Sequence, residues 1–382
     1  MTSKTYMVVD PRRDHSIRVP RPDLSAKLDT PNACNQCHKK KTEKWAADHL
    51  GEWYGPRKLE KPHYGEVLKA GHEWEPGGDV ALLTLANETG NPDIVRATAL
   101  SLLQRYPSAK MVEALKAGMQ DNDPLVRIGA VRALDAIDPK QRYELGGALL
   151  KDPVRAVRIE AGRYLASIPS DTLSKTQRDS LNQTVDEYIQ SQLVNAERPS
   201  SHLNLGILYS ERRQFQKAEE EYRTSLRLDP TFYPAFVNLA DLYRVQNQDA
   251  QGEGFLRQAL EIAPNDASVH HALGLLLVRI GKKQEAMGSL KKATALQPDN
   301  PRYGYVYGIA LHSVGDTEKA IAALEENYKR HPNDRQTLFT LITMHRDGGN
   351  IKRAGQYARK LIALAPEDPT ARQLLQQLTT KP

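Results

Sequence analysis

The chain has 382 residues, of which 40% are hydrophobic and 26% charged, so its length and composition suit two or three folded domains. The formal net charge is only +6 and the longest basic run is Lys39-Lys40-Lys41, which argues against a nucleic-acid-binding protein. Two cysteines, Cys34 and Cys37, are too few for a disulfide framework. No stretch of about 18 apolar residues is present, so we expect no membrane span.

Residues 1–78 hold both cysteines, all three tryptophans and five of the eleven histidines, and proline interrupts them repeatedly. Periodic hydrophobicity is nearly absent before residue 42. A segment with so little apolar patterning cannot build a large core of its own. We therefore predict a small, loop-rich segment that is organised by a bound ligand.

The chemistry of this segment is indicated by Cys34-Asn35-Gln36-Cys37-His38, a CxxCH motif. Two thiols at this spacing reach the two vinyl groups of one porphyrin, and the following imidazole binds the iron. A four-ligand zinc site needs a second ligand pair that the sequence lacks, and a thioredoxin-like pair needs a βαβ context. The motif predicts haem c on Cys34 and Cys37 with His38 as the proximal iron ligand, and zinc remains the alternative.

Residues 79–170 repeat with a period of 31 and resemble HEAT-like repeats, in which pairs of helices stack side by side. Within each repeat, valine, alanine and leucine fall four residues apart on one helical face. We expect the arginine that follows each valine to bond neighbouring loops. The repeating positions are Val95, Val126 and Val157; Arg96, Arg127 and Arg158; Ala99, Ala130 and Ala161; and Leu103, Leu134 and Leu165.

Residues 200–367 repeat with a period of 34, which is typical of the tetratricopeptide repeat (TPR), and they contain five such repeats. We predict an all-α protein, an α-solenoid of HEAT-like repeats and then a TPR superhelix. Residues 171–199 are expected to form a connecting and capping helix from about Ser180 to Ala196, and residues 368–382 a capping helix and tail. The prolines at the 34-residue spacing are Pro230, Pro264, Pro298, Pro332 and Pro366.

A mainly apolar groove is expected on the inner face of the TPR superhelix, and it favours an amphipathic helix or the chain's own haem segment as its guest. Asn204 and Asn238 stand at positions suggestive of a carboxylate clamp, but a full clamp is not evident. We expect protein partners to bind this groove. Its predicted lining also includes Leu203, Ile207, Val237, Asp241, His271, Leu275, Tyr305, Ile309, Phe339 and Thr343.

Three stretches around the motif carry a family resemblance: TYMVVDPRRDHS at residues 5–16, RVPRPDLS at 18–25 and TPNAC at 30–34. They resemble a family of multihaem c-type cytochromes in which a similar module precedes HEAT-like and TPR repeats. In that family another CxxCH precedes the position of Met1, so the resemblance implies a chain truncated at its N-terminus, without signal peptide or upstream haems. It also implies a periplasmic or otherwise extracytoplasmic full-length protein with redox partner proteins.

The second axial ligand of the iron is sought among five nearby residues, namely Met7, His15, His49, His63 and His72. His15 lies in an Asp-His-Ser context that resembles a distal-ligand loop of multihaem cytochromes. His63 sits at a proline-restricted turn. His49 shares a helical face with Trp45 and Trp53, where it equally packs as an ordinary side chain. Our order of preference is His15, His63 and then His49.

No hydrolytic motif such as GxSxG or HExxH is present, so we expect an electron carrier or scaffold rather than a catalyst. The predicted function is electron transfer by a haem-c-bearing protein whose helical repeats dock other proteins. The alternative is an interaction scaffold without functional haem, or with zinc at the Cys/His motif.

Overall fold

The computed structural model describes residues 3–6, 10–13, 21–55, 62–75, 77–364 and 369–379. It confirms an all-α fold of helical repeats. A short antiparallel hairpin that the sequence did not suggest precedes the helices, with β1 (Ser3–Tyr6) paired to β2 (Asp10–Arg13). The chain divides into two compact units, residues 1–133 and 134–382.

The first unit begins with four short helices around a very small core. Helix α1 packs against α3 and α4, and among the described residues the apolar side chains buried there are Pro22, Leu24, Ala46 and Leu50. Four such side chains contribute little apolar burial, in agreement with the prediction of a weak core. The helices are α1 (Pro22–Leu28), α2 (Ala33–Cys37), α3 (Glu43–Tyr54) and α4 (Tyr64–His72).

Six helices form the HEAT-like repeats, four in the first unit and two in the second. The second helices of the pairs begin 31 residues apart, as the sequence predicts, and the repeating Val, Ala and Leu positions are all buried. Pro124 opens its helix at a position where a missing N–H costs nothing. The helices are α5 (Gly78–Asn87), α6 (Asp93–Leu102), α7 (Ala109–Met119), α8 (Pro124–Arg132), α9 (Pro139–Gly146) and α10 (Arg155–Leu165).

The arginines that follow the repeated valines form hydrogen bonds to the repeat loops, as predicted. Arg96 donates to the carbonyl of Ala86 and forms ion pairs with Asp93 and Asp121. Burial raises the pKa of Asp121, but hydrogen bonds from Arg96 and from the Asp123 N–H outweigh it and leave this pKa below its usual value. The repeat loops are therefore joined by charged hydrogen bonds.

Helix α11 (Lys175–Leu193) connects the two arrays within the second unit. A capping box between Ser174 and Gln177 begins the helix, five residues before the predicted Ser180. It packs against α10 and against the first TPR helix. Beside it, the two terminal guanidinium nitrogens of Arg163, Nη1 and Nη2, donate to the Glu211 carboxylate at 2.5 and 2.9 Å.

Five helix pairs form the TPR array, and their first helices begin 34 residues apart. Each first helix packs on its partner, and that partner packs on the next first helix. The prolines from Pro230 to Pro332 lie in the turns between repeats, while Pro366 lies outside the described residues. The helices are α12 (Pro199–Glu211), α13 (Phe215–Leu228), α14 (Tyr233–Val245), α15 (Asp249–Ile262), α16 (Ala267–Arg279), α17 (Lys283–Leu296), α18 (Pro301–Ser313), α19 (Thr317–Arg330), α20 (Arg335–Asp347) and α21 (Ile351–Leu364), followed by α22 (Pro369–Thr379).

Candidate functional site

The CxxCH motif lies on α2, a single helical turn. The Asn32 side chain caps this turn by accepting from the Asn35 N–H at 3.0 Å, and the His38 N–H closes it on the Cys34 carbonyl at 2.9 Å. The Asn35 amide then donates to the carbonyl of Lys41. These bonds stabilise a compact loop that carries both thiols on one helical turn, and His38 follows as the C-terminal cap of that turn.

Neither thiol forms a disulfide; Cys34 is half-buried and Cys37 exposed. Next to them, the Nδ2 of Asn32 and the Oδ1 of Asn35 are buried without a hydrogen-bond partner among the described residues. Two thiols that form no disulfide, an adjacent imidazole and an unpaired side-chain donor are groups that fit a porphyrin with acidic side chains. Farther along α3, the residue Trp53 is 69% exposed.

The His38 imidazole starts a row of aromatic rings along α3. The centroid of the His38 ring lies 4.9 Å from that of the Trp45 ring, and the Trp45 and His49 ring centroids are 4.6 Å apart. His49 meets Trp53 edge-on at 6.0 Å. The Nδ1 of His49 lies 3.1 Å from the Trp45 carbonyl, which can only accept, so Nδ1 is the donor of this bond. The His49 ring therefore packs between Trp45 and Trp53, and its Nε2 takes no part in the bond to the Trp45 carbonyl.

The other candidates for the second axial position are placed unequally. His15 lies outside the described residues. His63 caps the N-terminus of α4, where its Nδ1 accepts from the Gly65 N–H at 3.0 Å, and its ring centroid lies 4.1 Å from that of Tyr64. Among the described residues, no group of three or more His, Cys, Asp or Glu side chains is gathered as a metal site. The zinc alternative therefore gains no ligand set there.

The predicted TPR groove has a partly open apolar face. Phe339 is 42% exposed, and Asp241 is exposed beside Arg244. The remaining apolar positions are half-buried, and all of them except Leu275 also pack against the core clusters beneath them. These half-buried residues are Leu203, Ile207, Val237, Leu275, Tyr305 and Ile309, and Thr343 shares their exposure.

His271 does not belong to this open face. Its side chain is buried, with the residue 8% exposed, and its ring lies 4.7 Å from that of Tyr303. Burial, and then the charge of Arg302, lower the pKa of His271 to about 4, so the imidazole is neutral at pH 7. The prediction that His271 lines the groove is corrected, because the next repeat covers it.

The two asparagines are engaged within the protein. The Asn204 amide donates to the Gln192 side chain at 2.9 Å, and the Asn238 amide donates to the Pro234 carbonyl at 2.9 Å. Sequence reasoning missed Asn32 and Asn35, which shape the haem-motif loop. An asparagine directly before the short helix is the signal that would have indicated the cap.

The family comparisons agree with both repeat arrays. Residues 80–166 match the HEAT repeat family, and residues 204–341 match a tetratricopeptide repeat family. No match was found among curated proteins. Of the described helices, none combines the length and apolar character that crossing a membrane requires.

Several solved structures are similar over parts of the chain. The crystal structure of MamA is 21% identical and covers 43% of this chain and 95% of its own, with a TM-score of 0.39. YrrB, described as a TPR protein with an unusual peptide-binding site, is 18% identical over 48% of this chain and 95% of its own, with a TM-score of 0.38. Yeast Tom70 is 16% identical over 84% of this chain and 64% of its own, with a TM-score of 0.49. On the two family matches and its own helix pairs, this chain is a helical-repeat scaffold built of HEAT and tetratricopeptide repeats.

Proposed function

We propose that the chain is a scaffold for protein–protein interaction and that the first helices of its five TPRs bind a protein partner. The observation that carries this proposal is the partly open apolar face that runs from Leu203 to Phe339. Apolar side chains half-exposed at each repeat offer a continuous strip to an amphipathic helix. Burying such a strip against a partner releases free energy in proportion to its apolar area.

The test is a quantitative pull-down with the full chain and two charge-introducing variants. Phe339→Glu places a carboxylate on the proposed binding face, whereas Leu228→Glu places one on a residue of similar exposure (44%) at the end of a second helix. Proteins retained by the unmodified chain should be lost from Phe339→Glu and kept by Leu228→Glu. Equal retention by both variants would remove the groove from consideration.

A second function is favoured by the geometry of α2. We propose that Cys34 and Cys37 hold haem c and that His38 binds its iron, with the unused Asn32 donor available to a propionate. A haem whose two axial positions are filled supplies reversible one-electron transfer. The exposed lysines Lys39, Lys40 and Lys41 would attract an acidic redox partner.

This haem-bearing form would be extracytoplasmic, since the family that the segment resembles receives its haem after export. The test is the visible spectrum of protein exported in a host with haem c maturation. We expect sharp α and Soret bands in the spectrum of the reduced protein, together with covalent haem staining. The double variant Cys34→Ser with Cys37→Ser should abolish that staining. If the exported protein is colourless, the haem function is excluded and only the scaffold function remains.

A further inference from the structure

A cleft of about 370 Å³ lies along the second helix of the last TPR, on α21. Its lining is almost entirely of hydrogen-bond donors and cations. The residues that line it are Asn350, Lys352, Arg353, Gln356, Tyr357 and Lys360. No residue of this cleft belongs to the first-helix face proposed above.

The charge of α21 differs from that of the other second helices. It contains four basic residues and no acidic one. Helix α13, by comparison, mixes three glutamates with its three basic residues. An excess of one charge along an exposed helix raises the free energy of the isolated chain, and an oppositely charged ligand relieves it.

Two of the cations at the cleft have no carboxylate partner within the described part of the chain. Arg353 is neutralised by Glu325 at 2.8 Å, and Tyr357 donates to the same carboxylate at 3.1 Å. The Lys360 ammonium instead lies 4.6 Å from the centre of the Tyr328 ring, and neither Lys352 nor Lys360 pairs with an acid in the described part of the chain. A ring face attracts an ammonium group but leaves its N–H donors unused.

The spacing of these two lysines selects the kind of anion. Eight residues separate Lys352 from Lys360, which is about 12 Å along a helix. One phosphate or carboxylate is too small to reach both. Two acidic side chains four residues apart on an extended peptide are roughly 13 Å apart, and Gln356 between the lysines can bond the peptide backbone.

We propose that this cleft binds an acidic, extended segment of a protein partner, with Lys352 and Lys360 each pairing with one carboxylate. The proposal shares with the proposed function the premise that the repeats bind proteins, but it uses a different surface.

The probe is a fluorescein-labelled twelve-residue peptide of alternating Glu and Ser, measured by fluorescence anisotropy with the full chain at low salt. The double variant Lys352→Gln with Lys360→Gln should weaken binding about tenfold, because two ion pairs are lost. The matched control, Lys283→Gln with Lys292→Gln, removes two exposed lysines from α17 and should change the affinity less than twofold. Phe339→Glu should leave the affinity unchanged, which separates this site from the groove.

Several results would overturn the assignment. Undetectable binding to the unmodified chain would exclude the site, and equal losses in both double variants would show only attraction to the net positive charge. Loss in Phe339→Glu would place the peptide on the first-helix face. Tighter binding of anionic vesicles or single-stranded RNA than of the peptide, dependent on Lys352 and Lys360, would reassign the cleft to a membrane or to nucleic acid.

Discussion

His271 shows how one buried side chain makes stability depend on pH. Both ring nitrogens lack a hydrogen-bond partner among the described residues, and Tyr303 and the charge of Arg302 lie beside the ring. Protonation inside the fold is therefore costly, whereas the unfolded chain accepts a proton at the usual pKa near 6.5. Between the folded pKa of about 4 and the unfolded pKa near 6.5, the unfolded state binds more protons than the folded state. The contribution of neutral His271 to the free energy of unfolding is therefore complete above pH 6.5 and falls as the pH drops toward 4.

We predict that lowering the pH from 7 to 5 costs the TPR array about 2 kcal/mol through His271. His271→Leu should remove that part of the pH dependence, since leucine does not titrate. Urea unfolding at both pH values, followed by circular dichroism, measures the difference. Identical pH slopes for the two proteins would show that His271 is reached by solvent or is not the responsible group.

For the proposed haem-loaded protein, we predict a low-spin iron with two imidazole ligands. His15→Ala and His63→Ala, made separately, identify the second ligand by conversion to a high-spin spectrum. If both variants and their combination stay low-spin, His49 or Met7 is next, and the Nε2 of His49 is not used in its bond to the Trp45 carbonyl. A high-spin unmodified protein would contradict the prediction and weaken the electron-carrier function.

Within each TPR, helix pairs approach closely because sizes are matched across the contact. Glycines of three first helices face a large residue on the second: Gly206 meets Tyr222, Gly274 meets Leu290 and Gly308 meets Leu324. The last repeat exchanges the sizes at the same positions, with Ile342 on the first helix and Ala358 on the second, both fully buried. In these four repeats a small residue therefore faces a large one across the contact, and either helix can carry the small residue.

We predict that Gly274→Ala destabilises the array by about 1–3 kcal/mol, because the added Cβ would lie 2.6 Å from the Leu290 side chain. The control is Gly288→Ala on the exposed side of α17, where nothing lies within 4 Å of the new carbon. That change should stabilise by about 0.5–1 kcal/mol through helix propensity. Urea unfolding midpoints compare the two, and a stable Gly274→Ala would show that the helices separate easily.

At the scale of the molecule, the N-terminal segment is joined to the first HEAT-like repeat. Helix α4 packs against α5, the Leu82 side chain lies close against Gly71, and the Tyr106 hydroxyl donates to the Gly71 carbonyl at 2.9 Å. A boundary at residue 78, as the sequence suggests, would separate α4 from these contacts.

We predict that a fragment of residues 79–382 folds into helices without haem, since each repeat buries its apolar face on its neighbours. A fragment of residues 62–382 should unfold at higher temperature, because α4 covers Leu82. Thermal unfolding by circular dichroism compares the fragments. Equal midpoints would mean that α4 adds no stability, and an unfolded 79–382 fragment would mean that the repeats depend on the N-terminal segment.

The sequence by itself determined the repeats, their periods of 31 and 34 residues and the helix pairs within them. It could do so because each repeat meets the same local environment, so the same residue types recur at fixed spacing. The CxxCH motif also lies within five consecutive residues, so its haem could be predicted from the sequence, and that haem stays a prediction.

Only the tertiary structure decided which side chains of the repeats are open to a partner. His271 and Tyr305 occupy equivalent positions one repeat apart, yet one is buried beneath the next helix pair and the other is half-exposed. The cleft on α21 brings Lys360 to the Tyr328 ring of another repeat, a distance that no local pattern encodes. Burial and ion pairing depend on neighbours distant along the chain, and periodicity describes only what lies within one repeat.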